Sequence, residues 1–297
     1  MPSDAKIALV TGANSGFGRL ISIALAGEGY RVFGGFRGTR DGFDTQASRL
    51  AAVAAEHGAT LESVRLDVTN DGSVGSAIRE VVDRARRVDL LVNCAGFGLM
   101  GPFENTSIEQ ARRVLETNLF GTMRMAKAVV PLMREHGGGT ILNFGSDIGV
   151  HANFFQSAYA PSKFAVEALS MVMRWELQQF GIRVAVISPG WYGTEFGDSV
   201  VSTFDAGPET ELYAPLVAAW EAGVSAVEGP NMEPQQVADA VVRVLKLPEL
   251  PFRTPVGWNP VRSDGIDPRQ IDDYERRLFA YYRLASFRGS WAGDSES

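Results

Sequence analysis

The eight residues Thr11-Gly12-Ala13-Asn14-Ser15-Gly16-Phe17-Gly18 constrain this chain more than any other stretch. Before them stands Ile7-Ala8-Leu9-Val10, an apolar run too short for a helix and bounded by glycine, which predicts a buried parallel strand. After them comes Arg19-Leu20-Ile21-Ser22-Ile23-Ala24-Leu25-Ala26, which reads as a helix. Strand, glycine-rich turn and helix in that order begin a βαβ unit. Gly12 permits the tight turn, Gly16 lets backbone come close to a ligand, and Gly18 lets helix and strand pack closely. The helix start then offers unpaired backbone N–H groups and a positive dipole end to a pyrophosphate. In isolation three such glycines are only a loop; between this strand and this helix they predict a nucleotide site.

The rest of the chain continues the alternation. Arg31 to Phe36 reads as a second strand and Arg37-Gly38-Thr39-Arg40 as the turn after it. A site selective for NAD places an acid at this strand end to bind both ribose hydroxyls. Here Phe36 takes that place and Arg37 follows, a guanidinium suited to a 2′-phosphate by charge and fork geometry. NADP(H) is therefore the expected cofactor, ahead of NAD(H); the bland alternative makes Arg37 and Arg40 solvated turn charges. Glu62 to Asp67 alternates as a third strand whose terminal Asp67 is placed to accept from an adenine amino group. A helix follows (about 71–86), then a strand from Asp89 to Asn93 ending in Asn93-Cys94-Ala95-Gly96, small residues that let backbone lie against a ribose. One long helix is expected over about 107–136, with Asn118 in its middle, where asparagine needs a polar core partner or a functional water. Thr140 to Ser146, the helix from Tyr159 to about Phe180, and Arg183 to Ser188 complete the central pattern. From Trp191 to about Pro230 the periodicity dissolves, which reads as a structureless lid or binding loop. Pro234 to Leu247 reads as a helix, Phe252 to Val256 as a short strand and about 267–287 as an extra C-terminal helix. No repeat, low-complexity tract or composition shift divides the chain, so residues 1–297 are read as one α/β domain: a doubly wound parallel sheet with helices on both faces.

Within that frame the stretch Ser146 to Lys163 carries the chemistry. Tyr159 and Lys163 are four apart at a helix start, so both side chains project from one face. A phenol of pKa near ~10 is a poor base at neutral pH, and an ammonium one turn away favours the phenolate. Ser146, closing a strand, is placed to hold a substrate oxygen while Tyr159 gives or takes its proton.

These motifs together resemble the short-chain dehydrogenase/reductases, and within them the 17β-hydroxysteroid and retinol dehydrogenase group, through the Arg37 turn and the ending Phe252-Arg253-Thr254-Pro255-Val256-Gly257. Thr11-Gly12-x-x-x-Gly16-x-Gly18 is similar to the family's cofactor turn, and Asn93-Cys94-Ala95-Gly96 to its Asn-Asn-Ala-Gly motif, with Cys94 the departure. Asn118, Ser146, Tyr159 and Lys163 fall on its four catalytic positions, with the thirteen-residue step from serine to tyrosine. Pro189-Gly190-x-x-x-Thr194 is similar to the segment that holds the nicotinamide carboxamide. The resemblance implies the strand order 3-2-1-4-5-6-7. It also implies a cofactor set of Gly12, Asn14, Ser15, Gly16, Phe17, Gly18, Arg37, Asp67, Val68, Asn93, Ala95, Gly96, Tyr159, Lys163, Pro189, Gly190 and Thr194. On it, Tyr159 transfers the proton, Ser146 orients the oxygen, Lys163 binds the nicotinamide ribose and lowers the tyrosine pKa, and Asn118 holds a water leading to solvent. The helices over about 107–136 and 157–180 are those through which the family forms dimers and tetramers, so a homodimer or homotetramer is expected.

Phe97, Phe103, Phe154, Phe155, Trp191, Tyr192, Phe196 and Phe204 lie in segments expected to border the nicotinamide. Collectively they favour an apolar or aromatic alcohol or ketone over a sugar. Asp147 and His151 are near enough to Ser146 to touch substrate, though water-facing loop positions are the plainer reading. The net charge of −7 argues against a nucleic-acid or anionic-membrane surface, and no apolar run has the length of a membrane span. A single cysteine, Cys94, and the lack of a basic-then-apolar leader point to a cytoplasmic protein. No His/Cys/Asp/Glu cluster has metal-ligand spacing, so no catalytic metal is expected. Two other classes compete: a non-catalytic NADP(H)-binding sensor or scaffold, which has no need of four intact catalytic positions, and a sugar-nucleotide epimerase, whose glycine spacing differs.

Overall fold

The structure is a computed structural model that describes residues 5–190, 192, 200–205, 207, 210–225 and 232–257. Its sheet opens with β1 (Ile7–Thr11), every residue of it buried, which feeds α1 (Gly16–Gly27) and returns as β2 (Arg31–Phe36). Then come α2 (Arg40–Glu56), β3 (Leu61–Arg65), α3 (Asp71–Ala85) and β4 (Leu90–Asn93). A short β5 (Leu99–Met100) precedes α4 (Ile108–Leu115) and α5 (Gly121–Glu135); β6 (Gly139–Phe144), α6 (Tyr159–Leu177) and β7 (Ile182–Pro189) follow. The described chain continues with β8 (Val201–Ser202), α7 (Thr210–Ser225), α8 (Gln235–Leu245) and β9 (Arg253–Val256).

Seven strands form one sheet in the order β3-β2-β1-β4-β6-β7-β9, all parallel, which is the expected 3-2-1-4-5-6-7 once the small β5–β8 pair is set aside. Strands buried on both faces need two cores, and the alternation along β1 divides them. Ala8 and Val10 pack with Ile21 and Leu25 of α1, Leu50 of α2 and Val237 and Val241 of α8; Ile7 and Leu9 pack with Val74 and Val81 of α3 and Met125 and Val129 of α5. The order reverses between β1 and β4, so the loops leaving their carboxyl ends splay apart and open a crevice.

Three expectations are corrected. The helix over 107–136 is not continuous: a π-helical turn, Glu116–Phe120, interrupts it around Asn118. The stretch 191–230 is not structureless, since β8 pairs in parallel with β5 and α7 occupies Thr210–Ser225. Asn105 ties the two, its Nδ2 donating to Phe204 O at 3.3 Å and Thr210 Oγ1 at 3.2 Å, and Tyr213 donates to Glu104 Oε2 at 2.5 Å. Period analysis missed α7 because its exposed face is apolar too, with Leu212 74 % exposed. Arg40 is the first residue of α2 rather than the last of a turn; the N-cap is Thr39, whose Oγ1 accepts from Gly42 N at 3.3 Å. The helix expected over 267–287 and the residues Trp191, Thr194 and Phe196 lie outside the described residues. Among the described residues no helix is long and apolar enough to cross a membrane.

Candidate active site

At the mouth of the crevice the glycine turn leaves β1. Gly12 and Gly16 have φ of +69° and +48°, conformations an L side chain rarely adopts. A Cβ at Gly18 would lie 2.2 Å from Gly12 O, so the start of α1 rests directly on the turn. Around Gly16, by contrast, a Cβ meets nothing within 4 Å. That open side faces away from the fold at a helix N-terminus with no acid in its first turn, and Ser15, at the N-cap, spends no side-chain hydrogen bond on the helix. Backbone donors at the helix start, a hydroxyl not spent on the cap and room above Gly16 suit a pyrophosphate. Thr11 fastens this turn to the next motif, its Oγ1 accepting from Cys94 N at 3.0 Å and Ala95 N at 2.9 Å. Asn14 Nδ2 donates to Gln46 Oε1 of α2 at 3.1 Å.

At the ribose end Phe36 is buried and stacked on Phe43, ring centroids 4.8 Å apart. The Arg65 guanidinium lies 5.3 Å over the Phe43 ring, and Arg37 is exposed at the strand end. Arg65, in register with Phe36, is a second cation there that sequence reasoning missed; only strand pairing reveals it. Asp67 Oδ1 accepts from Thr69 N at 2.9 Å and Thr69 Oγ1 at 2.7 Å, and Val68 is buried beside it, packed on Gly121. The Asn93 side chain does not face the crevice: it is 4 % exposed and donates to Asn143 Oδ1 at 2.9 Å, and Asn143 donates to Ser170 Oγ at 2.8 Å. Ala95 and Gly96 sit beyond the strand end, where a Cβ at Gly96 would come within 2.9 Å of Asn118 Oδ1 and 3.9 Å of Lys163 Nζ. Gly190 N donates to Val256 O at 2.8 Å, so Pro189-Gly190 closes the crevice on the β9 side.

Ser146, Tyr159 and Lys163 come together. Ser146 Oγ donates to Asp147 Oδ1 at 2.9 Å and accepts from Ile148 N at 3.2 Å, and it is hydrogen-bonded to the Tyr159 phenol. Lys163 is buried, its Nζ 5.7 Å from the Tyr159 ring centroid and donating to Phe144 O at 2.8 Å. Burial pushes the Lys163 amine down to about 8. Burial also pushes the Tyr159 phenol up, and Asp147 adds to the rise, while the Ser146 hydrogen bond opposes it. The Tyr159 phenol is thus held above its ordinary value rather than below it as expected, with desolvation the largest cause. Asn118 takes the first of its two expected alternatives, a polar core partner. Its amide clasps the Phe97 backbone, accepting from Phe97 N and donating to Phe97 O, each at 3.1 Å, and donates to Ser162 Oγ at 3.0 Å. The side chain has found polar core partners, and it binds the β4 exit loop to α6.

His151 is 1 % exposed rather than water-facing, and burial pushes its imidazole down against the opposing pull of Asp147. Burial pushes the Cys94 thiol up to about 12, which favours its neutral form at neutral pH. Of the aromatic set, Phe103 is 75 % exposed, while Phe97 packs with Leu99, Val114 and Ala158. Phe155 adopts φ +60° and is buried edge-on against Phe204 (5.2 Å) and Trp220 (5.3 Å), with Phe154 at 6.1 Å. Trp220 of α7 was not expected there; the helix carrying it was missed. Tyr192 packs edge-on to Phe17 at 5.5 Å, its hydroxyl against Gly257, and belongs to the core beneath the crevice. No group of His, Cys, Asp and Glu among the described residues is arranged to hold a metal ion.

A family model described as short chain dehydrogenase matches residues 6–204. Human retinol dehydrogenase 8 is 31 % identical over 301 residues, covering 96 % of this chain and 94 % of that protein. The 3-ketodihydrosphingosine reductase of Bacteroides thetaiotaomicron is 32 % identical over 252 residues, covering 85 % and 88 %. Among solved structures, an alcohol dehydrogenase from the archaeon Thermococcus sibiricus, complexed with 5-hydroxy-NADP, superposes with a TM-score of 0.70 at 27 % identity, covering 86 % of this chain and 99 % of that one.

Proposed function

The chain belongs to the short-chain dehydrogenases, oxidoreductases that use a nicotinamide cofactor, and from that premise we propose an NADP(H)-dependent enzyme acting on a hydrophobic or aromatic alcohol or ketone. The observation that carries the reading is the hydrogen-bonded Ser146–Tyr159 pair with buried Lys163 one turn away, beside the open glycine turn. The cofactor supplies the hydride chemistry at its nicotinamide ring. Tyr159 gives its phenolic proton to the substrate oxygen in reduction and takes it back in oxidation. Ser146 orients that oxygen through the hydroxyl it already shares with Tyr159. Lys163 contributes a cation held at low dielectric, where charge acts strongly, and would bind the nicotinamide ribose. The backbone N–H groups at the start of α1 and the Ser15 hydroxyl would hold the pyrophosphate.

Three features favour NADP(H): Phe36 in place of an acid, Arg37 after it, and Arg65 across the strand pair. The aromatic cluster of Phe154, Phe155, Phe204 and Trp220, together with a retinoid and a sphingoid named among the relatives, favours a lipophilic substrate. Exposed Phe164, Met171, Val172 and Trp175 on α6 favour a homo-oligomer formed through that helix. The test is turnover of hydrophobic alcohols and ketones with both cofactors. Turnover of apolar carbonyls with NADPH is expected; preference for sugar substrates, or equal rates with NADH, overturns the corresponding part.

A further inference from the structure

One helical turn beyond Lys163, Glu167 is buried in α6, 4 % exposed. A carboxylate at that depth stays ionised only when paired and hydrogen-bonded. Arg253 of β9 supplies both: its Nε donates to Oε1 at 3.1 Å and Oε2 at 3.2 Å, and its Nη2 donates to Oε2 at 2.9 Å. Ser188 of β7 donates to Oε1 at 3.1 Å. The same side chain lies under the turn that presents Ser146. A Cβ at Gly145 would stand 3.0 Å from Glu167 Oε1, and one at Gly149 would stand 3.2 Å from Glu167 Cγ. One carboxylate thus joins β7, β9, α6 and both flanks of Ser146. For stability alone an apolar filling of the same volume commonly does as well as a buried ion pair.

We propose that the Glu167–Arg253 pair is a positioning device for the candidate catalytic residues, seating the Ser146 turn and setting the charge felt by Lys163. The proposal rests on the reading of Ser146, Tyr159 and Lys163 as the catalytic set. The groups facing Lys163 are Tyr159 and Glu167 on its own helix, Cys94 beyond β4 and the Phe144 carbonyl of β6. Cys94 is a neutral thiol at working pH, so Glu167 is the carboxylate that raises Lys163 against the burial that lowers it. Asp147 acts on Tyr159 and His151. Tyr159 and Lys163 stand together on α6, and removing a buried negative charge lowers the proton affinity of the amine that faces it.

Glu167→Gln keeps the volume and removes the charge. In the cofactor-free protein, stability is expected to rise with pH as Lys163 sheds its proton, and in this variant the rise should begin about one pH unit lower than in wild type. In a Lys163→Met background the same substitution should cause no such displacement. Kinetically, the alkaline limit of kcat/KM for ketone reduction should move down with it, with kcat falling more than the KM for cofactor rises. Profiles that superpose on wild type, with only a uniform loss of melting temperature, overturn the proposal. If Glu167→Gln does not fold, Arg253→Lys carries the test: its looser grip leaves more of the carboxylate charge acting on Lys163, so the alkaline limit should move up, and an unchanged or lower limit overturns the proposal. If wild type turns over no carbonyl, the functional reading fails, while the melting series still decides the role of Glu167.

Discussion

The two ends of the crevice are built on opposite plans. The glycine turn works by lacking side chains: Gly18 presses on Gly12 O, Gly16 faces open space, and the polar groups on offer are mainly backbone. The candidate catalytic end works by burying side chains: Lys163, Ser146, Glu167 and Asn118 are each at most 7 % exposed and hydrogen-bonded. Backbone donors carry no proton that titrates near neutrality, so the first end is indifferent to pH. At the second end burial lowers an amine and raises a phenol, so protonation, stability and chemistry are linked. The comparison teaches where a substitution will be felt as lost shape and where as altered charge.

Tyr159→Phe should break the catalytic end with the largest effect. It removes the proton donor and little volume, so turnover should fall by ~10²–10⁴-fold with cofactor affinity nearly unchanged. Steady-state rates beside cofactor dissociation constants check this, and retention of more than about a hundredth of the activity excludes Tyr159 as the acid/base.

Lys163→Met should split function from stability. The folded-state value of about 8 lies below the ordinary 10.5, so the unfolded chain binds more protons between them and stability rises with pH across that window. Below it the folded protein carries a buried charge at full cost, ~3 kcal/mol by linkage. Cofactor-free Lys163→Met should therefore be more stable than wild type at neutral pH, by at most that amount, lack the alkaline rise, and be inactive. Denaturation at several pH values beside activity measures all three, and a loss of stability at neutral pH contradicts the burial argument.

Gly18→Ala tests the other plan. Its methyl would meet Gly12 O at 2.2 Å, backbone that has no rotamer to yield, so the turn must shift at a cost of about 1–3 kcal/mol. NADP(H) and NAD(H) should weaken together, and the pH dependence of stability should match wild type; titration calorimetry and melting profiles separate the two.

Arg37→Ala should have the smallest effect and the most selective. A charge-assisted hydrogen bond of roughly 1.5–3 kcal/mol corresponds to about one to two decades of affinity, lost for NADP(H) and barely at all for NAD(H). Wild type binding both cofactors equally would make Arg37 a solvated turn charge.

Much of this was legible in the chain because it is local. A strand with four apolar residues, a turn that only glycine can make and a helix are neighbours in sequence, and their order dictates parallel pairing and the place of the crevice. Tyr159 and Lys163 were legible for the same reason, since a helix puts positions four apart on one face. The partners of those residues were not. Asn118 clasps Phe97, twenty-one residues away, and the π turn that carries it follows no periodicity. Glu167 meets Arg253 across eighty-six residues, and Arg65 reaches the cofactor end only because β3 pairs in register with β2. The protonation of Tyr159 and Lys163 was the least legible. The four-residue spacing specifies that an ammonium stands near a phenol, but the sign of the tyrosine shift depends on how much water the surrounding strands exclude. The sequence by itself determined the fold, the glycine turn and which side chains share a helix face, since backbone sterics and short-range spacing decide these. Only the tertiary structure decided which distant groups satisfy those side chains and how tightly each holds its proton, because burial and charge pairing are properties of packed neighbours.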